Sequence, residues 1–238
     1  MSVTPGLWSY LAAAPLTWLT VTLLAYLGAS MVSRSLDHAP LANPVLVAVC
    51  VIAPILWLTG TGYDSYFEGA QFIHFLLGPA TVALAVPLYD NLATIRRLAA
   101  PILLALVAGS AVAVVSAILL AQALGLPEPV ILSLSPKSTT APVALGVSEA
   151  VGGIPTLTAV LVILTGVIGA IVVTPMMNLL RIRDWRARGF AVGVAAHGIG
   201  TARAFAVNET AGAYAGVGMA LNALLTSLIV PVFVYWLI

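Results

Sequence analysis

Long apolar runs separated by short polar breaks set the pattern of this chain. Leu16 to Val32, Asn43 to Gly60, Phe72 to Leu88, Pro101 to Gly125, Pro155 to Leu180 and Val217 to Ile238 approach or reach the roughly 20 apolar residues that a membrane-spanning helix needs. Two breaks fall where uninterrupted Leu and Val would otherwise be expected. One is SLSPKSTTAPVALGVSEAVGG, Ser133 to Gly153, and the other is AVGVAAHGIGTARAFAVNETAGAYAG, Ala191 to Gly216. Ionisable residues near lipid depth cost roughly 2.5 to 3.5 kcal/mol each on insertion scales, so they are kept where they face a cavity or pathway. The expected fold is an all-α polytopic membrane protein, one transmembrane domain over residues 1–238, with about six full spans plus broken or re-entrant segments.

Composition sharpens this picture. The chain is 61% hydrophobic and 7% charged, with a mean hydropathy of +1.11, against about 45 to 50% and 25% in soluble domains. No length is left for a soluble domain. The nine basic residues sit in small groups rather than in one stripe with interleaved aromatics, which leaves a nucleic-acid partner without support. Cys50, in an apolar run, reads as a buried, inert thiol. The N-terminus lacks the basic region and small-residue cleavage site of a signal peptide, so the first span is expected to be retained.

Charge placement orients the spans, because cytoplasmic loops carry the Lys/Arg excess. Arg34, Arg96-Arg97 and the cluster Arg181, Arg183, Arg186 and Arg188 are expected inside, with Glu128 and a polar loop over Thr61 to Gln71, which carries Asp64 and Glu68, outside and the N-terminus external. Four spans then alternate without conflict. For the fifth to run inward, the segment from Leu126 to Ile154 must enter and return on the external side, as a re-entrant loop or a pair of half-helices. The second break is entered from the cytoplasm. An internal repeat supports the layout: Ala144-Leu145-Gly146-Val147-Ser148-Glu149 matches Ala204-Phe205-Ala206-Val207-Asn208-Glu209. Paired interrupted segments approached from opposite sides are how inverted-repeat transporters build a midplane site. A weaker echo, Val82 to Val86, fits badly, because Arg96-Arg97 make that segment cross the membrane.

The breaks carry anion-binding chemistry. In Ser135-Pro136-Lys137-Ser138-Thr139-Thr140 the proline stops the preceding helix and Ser or Thr caps the next. A half-helix N-terminus then offers N–H groups and partial positive charge to a carboxylate. Lys137 and the hydroxyls of Ser135, Ser138, Thr139 and Thr140 add donors. The second break repeats the recipe with His197, Gly198, Gly200, Thr201 and the guanidinium of Arg203, which can hold a carboxylate bidentately. Glu149 and Glu209, matched in the repeat, are candidate proton-coupling or gating acids, since burial in apolar surroundings raises a carboxyl's pKa toward neutrality. Zinc-protease, hydrolase-elbow and P-loop motifs are absent from the sequence. No catalytic residue, metal or cofactor is expected.

The runs LLGPATVALAVPLY (Leu76 to Tyr89), SLSPKSTTAPVALGVSEAVGG and AAHGIGTARAFAVNE (Ala195 to Glu209) resemble the LrgB/CidB family of bacterial membrane proteins from about Thr17 onward. That family is similar to one half of the plastidial glycolate/glycerate translocator of plants, whose other half resembles the small LrgA/CidA proteins. The resemblance implies transport of short monocarboxylates of the glycolate, glycerate, lactate or pyruvate class, with a separately encoded LrgA/CidA-like partner. The expected assembly is a homodimeric carrier in the bacterial inner membrane, with the small organic anion held between the two broken segments. The resemblance also implies an alternative, holin/antiholin-like regulation of murein hydrolases and lysis.

Overall fold

The computed structural model describes residues 14–36, 39, 42–76, 79, 82–83, 85–90 and 92–238. Among these residues the regular structure is helical and no strand occurs. The chain divides into two compact units, Met1–Pro79 and Ala80–Ile238.

The first unit holds α1 (Pro15–Ser35), α2 (Pro44–Thr59) and α3 (Tyr63–Phe75). α1 and α2 open on a proline, tolerated in the first turn because its missing N–H would have no partner there. Asn43 caps α2 by accepting from the N–H groups of Val45 and Leu46 at 2.9 and 3.3 Å, and Gly60, at φ +64°, ends it. Both follow the expected spans. α3 corrects an expectation, because Thr61 to Gln71 read as a polar loop. Its polar residues Asp64, Ser65, Glu68 and Gln71 are exposed, while Tyr66, Gly69, Ala70 and Ile73 turn inward at the i, i+3, i+4, i+7 spacing of an amphipathic helix. Fully buried Trp18 meets Tyr66 edge-on at 6.0 Å, and Thr22 Oγ1 lies 3.1 Å from its hydroxyl. A Cβ at Gly69 would stand 2.1 Å from the Pro15 carbonyl oxygen, so only glycine permits this approach. Cys50 is exposed rather than buried, on an apolar surface shared with Val49 and Val51.

The expected third span, Phe72 to Leu88, lies partly outside the described residues, as does Leu84 of the weak echo. Its described part comprises the end of α3 and, in the second unit, the short α4 (Ala85–Asp90).

The second unit continues with α5 (Leu92–Arg97), α6 (Ala99–Ala123), α7 (Glu128–Leu134), α8 (Ala141–Ala150), α9 (Pro155–Leu179), α10 (Trp185–Val207) and α11 (Glu209–Leu237). Among the described residues five helices, α1, α6, α9, α10 and α11, are long and apolar enough to cross a membrane, and α2 is a shorter apolar helix. α6 and α11 run parallel. Near their starts Ile102 and Leu106 pack with Phe190, Val194 and Val217. Near their ends Ile118 and Ala121 pack with Ile131, Val147 and Val230, and Gln122 Nε2 donates to the Leu237 carbonyl at 2.6 Å. Arg96-Arg97 and the Arg181 to Arg188 cluster therefore share one end of this unit. Leu104, Leu120, Leu164, Ile168, Leu224 and Leu228 remain exposed along the spans. Such a surface is costly in water and neutral against lipid tails.

α10 is not a straight rod. Ala196 (φ −131°, ψ 17°) and His197 (φ 41°, ψ −138°) interrupt it. Gly200 follows Val192 by eight residues, about 12 Å on an unbroken helix, yet a Cβ on Gly200 would lie 2.8 Å from Val192 Cγ2. The chain reverses at His197. Residues 185–195 form an arm entering from the arginine end, and residues 198–207 form an arm returning to it. Asn208, in extended conformation, then caps α11 by accepting from the Ala211 N–H at 3.1 Å.

Candidate functional site

The two breaks build two helical hairpins that enter the second unit from opposite ends. α7 and α8, the expected pair of half-helices, are joined by residues 135–140 and come in from the end where α6 finishes and α9 begins. Hydroxyls pin them to the start of α9. Ser133 Oγ accepts from the Ile154 N–H at 2.8 Å while donating to the Pro129 carbonyl at 2.6 Å. Thr158 Oγ1 lies 2.7 Å from Ser148 Oγ and 3.1 Å from the Ser133 carbonyl oxygen. A Cβ at Gly153 would stand 2.5 Å from Ser148 Oγ, so Gly153 serves close packing, while Gly152, at φ +87°, makes the turn.

The tips of the two hairpins meet on Asn222, near the middle of α11. Its Nδ2 donates to the Ser138 carbonyl and to the Val194 carbonyl, each at 3.1 Å. Its Oδ1 accepts from Ser110 Oγ at 2.6 Å and from Thr226 Oγ1 at 3.1 Å. Ser110 sits near the middle of α6, so the contact lies at half depth in the bundle. Neither Asn222 nor Ser110 was singled out in the sequence, although a lone Asn inside an apolar span is itself a signal of interior polar contact.

At the first tip, Ser135 is buried and its hydroxyl donates to the Leu132 carbonyl at 2.7 Å. Half-buried Lys137 donates from Nζ to Ser138 Oγ at 3.3 Å. Among the described residues the one ion pair is Arg186 with Asp184, so no carboxylate lies within ion-pair reach of Lys137. Thr139 is fully buried and its Oγ1 has no hydrogen-bond partner among the described residues. Thr140 is the N-cap residue of α8, but its side chain makes no capping bond, against the expected hydroxyl cap. The expected row of free amides is also thinned. Pro142 has no N–H, and those of Val143 and Ala144 are taken by the Thr140 carbonyl. Lys137 Nζ and the Ser138 and Thr139 hydroxyls are among the donors that remain.

At the second tip, buried His197 donates from Nε2 to the Val162 carbonyl at 2.9 Å, which fixes the ring against α9. Thr201 Oγ1 turns back to the His197 carbonyl at 2.8 Å. Gly198 has room for a Cβ, with Met219 Sδ at 3.7 Å, whereas Gly200 does not. Gly166 and Gly169 on α9 give the tip its place, since Cβ atoms there would stand 2.6 Å from His197 Cε1 and 2.3 Å from the Ala196 Cβ.

Arg203 lies on the returning arm and lines a small open cleft of about 30 Å³ with Val173, Met177, Trp185, Arg188 and Val207. Lys137 is not among the cleft's lining residues, so the structure does not bring the two expected cationic groups to one point. Arg188 donates to the Ile182 carbonyl at 2.7 Å and to Asn178 Oδ1, and lies over the Trp185 ring at 4.9 Å. Asp184 caps α10, and its bonds to Arg186 hold its carboxyl at about 2. Glu149 and Glu209 are both exposed, so the burial required by the coupling reading is missing at each. Glu149 lies in the last turn of α8 and Glu209 opens α11 after the returning arm, at opposite ends of the unit. Among the described residues no group of three or more His, Cys, Asp and Glu is placed to hold a metal ion.

The LrgB-like family matches residues 22–236 of the chain. Uncharacterized protein YwbG of Bacillus subtilis (strain 168) is 38% identical over 213 residues, which cover 90% of this chain and 94% of that protein. Uncharacterized protein YxaC of the same organism is 37% identical over 198 residues, 83% of this chain and 86% of its own. Holin-like protein CidB of Staphylococcus aureus (strain N315) is 32% identical over 219 residues, 92% and 95% of the two chains. No solved structure matches. A helical, multi-pass bacterial membrane protein matched over nearly its whole length, the chain belongs to the LrgB-like family.

Proposed function

We propose that this protein is a secondary carrier of small monocarboxylates, glycolate, glycerate, lactate or pyruvate in class, with the anion held at the first hairpin tip. The observation that carries the reading is Lys137: a half-buried ammonium at mid-bundle, with one long hydrogen bond to a neutral hydroxyl and no carboxylate within reach among the described residues. A desolvated cation without a counter-ion is costly, and an organic anion removes that cost. Thr139 Oγ1 and Ser138 Oγ supply the hydroxyl contacts. Hairpins that enter from opposite ends and meet at half depth support alternating exposure of one central site. Arg203, in its cleft beside Arg188 and Trp185, is read as a second station at the arginine end. Glu149 and Glu209 are read as gating groups at the two hairpin mouths, and a homodimer or an LrgA/CidA-like partner completes the assembly.

A second reading is favoured by the relatives called Holin-like protein CidB. On it, the chain acts in holin-like control of murein hydrolases and lysis. Purified protein in vesicles separates the two. The carrier reading expects saturable counterflow of labelled glycolate or pyruvate that Lys137→Gln weakens by about 2 kcal/mol or more, roughly thirtyfold in affinity. Size-indifferent leakage supports the holin-like reading. Equal affinity in parent and Lys137→Gln protein removes the ammonium from the site.

A further inference from the structure

We infer that Asn222 is a latch that couples the two hairpin tips, so that neither moves without the other. A carboxamide has two N–H donors and an acceptor oxygen with two lone pairs. At Asn222, 1% exposed, all four are used. Both donors go to carbonyls at the hairpin breaks, Ser138 in one and Val194 in the other, each at 3.1 Å. Both acceptor positions go to hydroxyls on long spans, Ser110 on α6 and Thr226 on α11 itself. The spans thus fix the amide's orientation, and the amide fixes the tips. If the Ser138 tip withdraws alone, one N–H is left unsatisfied at a depth where no other acceptor is in place, and the Val194 carbonyl keeps a donor whose other bond is broken. The four bonds polarise one another through one amide, so loss of one tip weakens the hold on the other and the second opens more readily once the first has gone.

The tips themselves are built to hinge. Residues 135–140 lie between two short helices, and the second break turns on His197 at positive φ. Hinges are a few element-terminal residues that absorb a change in φ and ψ. Asn222 is the side chain that touches both. This is a positioning role, and it holds whatever solute crosses.

Hydrogen exchange on the purified, lipid-embedded protein tests it. Asn222→Leu keeps most of the volume while deleting all four bonds; Asn222→Ala deletes the bonds and the volume together. In both variants the amides of residues 135–140 and those of 196–201 are expected to exchange at least tenfold faster and in similar proportion, with the centre of α9 unchanged. A rise at one tip only, no rise at either, or a uniform rise that includes α9 overturns the latch. Should neither variant accumulate as folded protein, Ser110→Ala combined with Thr226→Val loosens the amide while leaving its donors. The two tips then speed up together by about threefold, a modest loss for two acceptor-side bonds, and a rise confined to one tip again overturns the coupling. Glycolate counterflow in the same vesicles is read separately. Coupled tips without saturable uptake leave the latch standing and remove the carrier reading, and uncoupled tips with saturable uptake do the reverse.

Discussion

At the scale of single residues, His197 shows how a break differs from a bend. Its φ of 41° with ψ of −138° lies in a region that L side chains rarely adopt, at an expense of order 1 to 3 kcal/mol. The ring bond to Val162 and the glycine at 166 hold it there. In an unbroken helix, Gly is less stable than Ala by about 1 kcal/mol. Here the order should invert: His197→Ala loses the ring bond and keeps the strain, while His197→Gly loses the ring bond and relieves the strain. Thermal or denaturant unfolding in detergent should place the Gly variant about 1 kcal/mol above the Ala variant. The usual order would mean that α10 runs straight through. Lys137, His197 and Arg203 were legible because polar groups stand out between apolar runs. Asn222, Ser110 and Thr158 were not, because each is one polar residue inside a run whose average remains apolar, and only the fold shows that they face each other.

At the scale of elements, small residues decide how closely the hairpin arms pack. Gly189 and Gly193 on the entering arm of α10 lie against Ala211 and Ala215 of α11, where added Cβ atoms would stand 2.0 and 2.1 Å from the Ala211 and Ala215 carbonyl oxygens. Helices in lipid gain no hydrophobic drive from association, so backbone approach of this kind is what holds them together. Gly193→Ala should therefore destabilise the protein by about 1 to 3 kcal/mol by overpacking, although the same change on an exposed helix would stabilise it. Gly146, whose added Cβ meets nothing within 4 Å, is the control: Gly146→Ala should be neutral or stabilising. Equal effects at both positions would show that the entering arm does not touch α11. The pair of half-helices over Leu126 to Ile154 was legible because charge alternation forces a return. The start of α11 was not. Glu209 to Gly216 reads as part of a polar break, yet it is helical because its alanines and glycines allow that contact with α10, a tertiary reason absent from local hydropathy. α3 was missed for the converse reason, its charges interrupting a stripe that only helical spacing reveals.

At the scale of the whole molecule, the fold makes the direction of crossing testable within the second unit alone. α9 begins beside the α7–α8 hairpin and ends at the arginine cluster, so Glu128 and Arg183, both exposed, mark its two ends. Arg96-Arg97 and Arg181 to Arg188 lie at one end because α6 starts where the entering arm of α10 packs. Charge bias along the sequence gives the same grouping. The sequence also anticipates the opposite approach of the two breaks, since the match of Ala144 to Glu149 with Ala204 to Glu209 begins on the outgoing arms of both hairpins. In a Cys50→Ser background, Glu128→Cys should react with an impermeant maleimide on intact spheroplasts, and Arg183→Cys only after the membrane is opened, if the Lys/Arg excess marks the cytoplasmic side. Two other outcomes are informative in different ways. Reversed labelling would keep the hairpins and overturn the charge argument, leaving the cleft around Arg203 facing outward. Labelling of both cysteines from one side would mean that α9 does not cross, and hairpins that share one side could not give opposite access to the contact at Asn222.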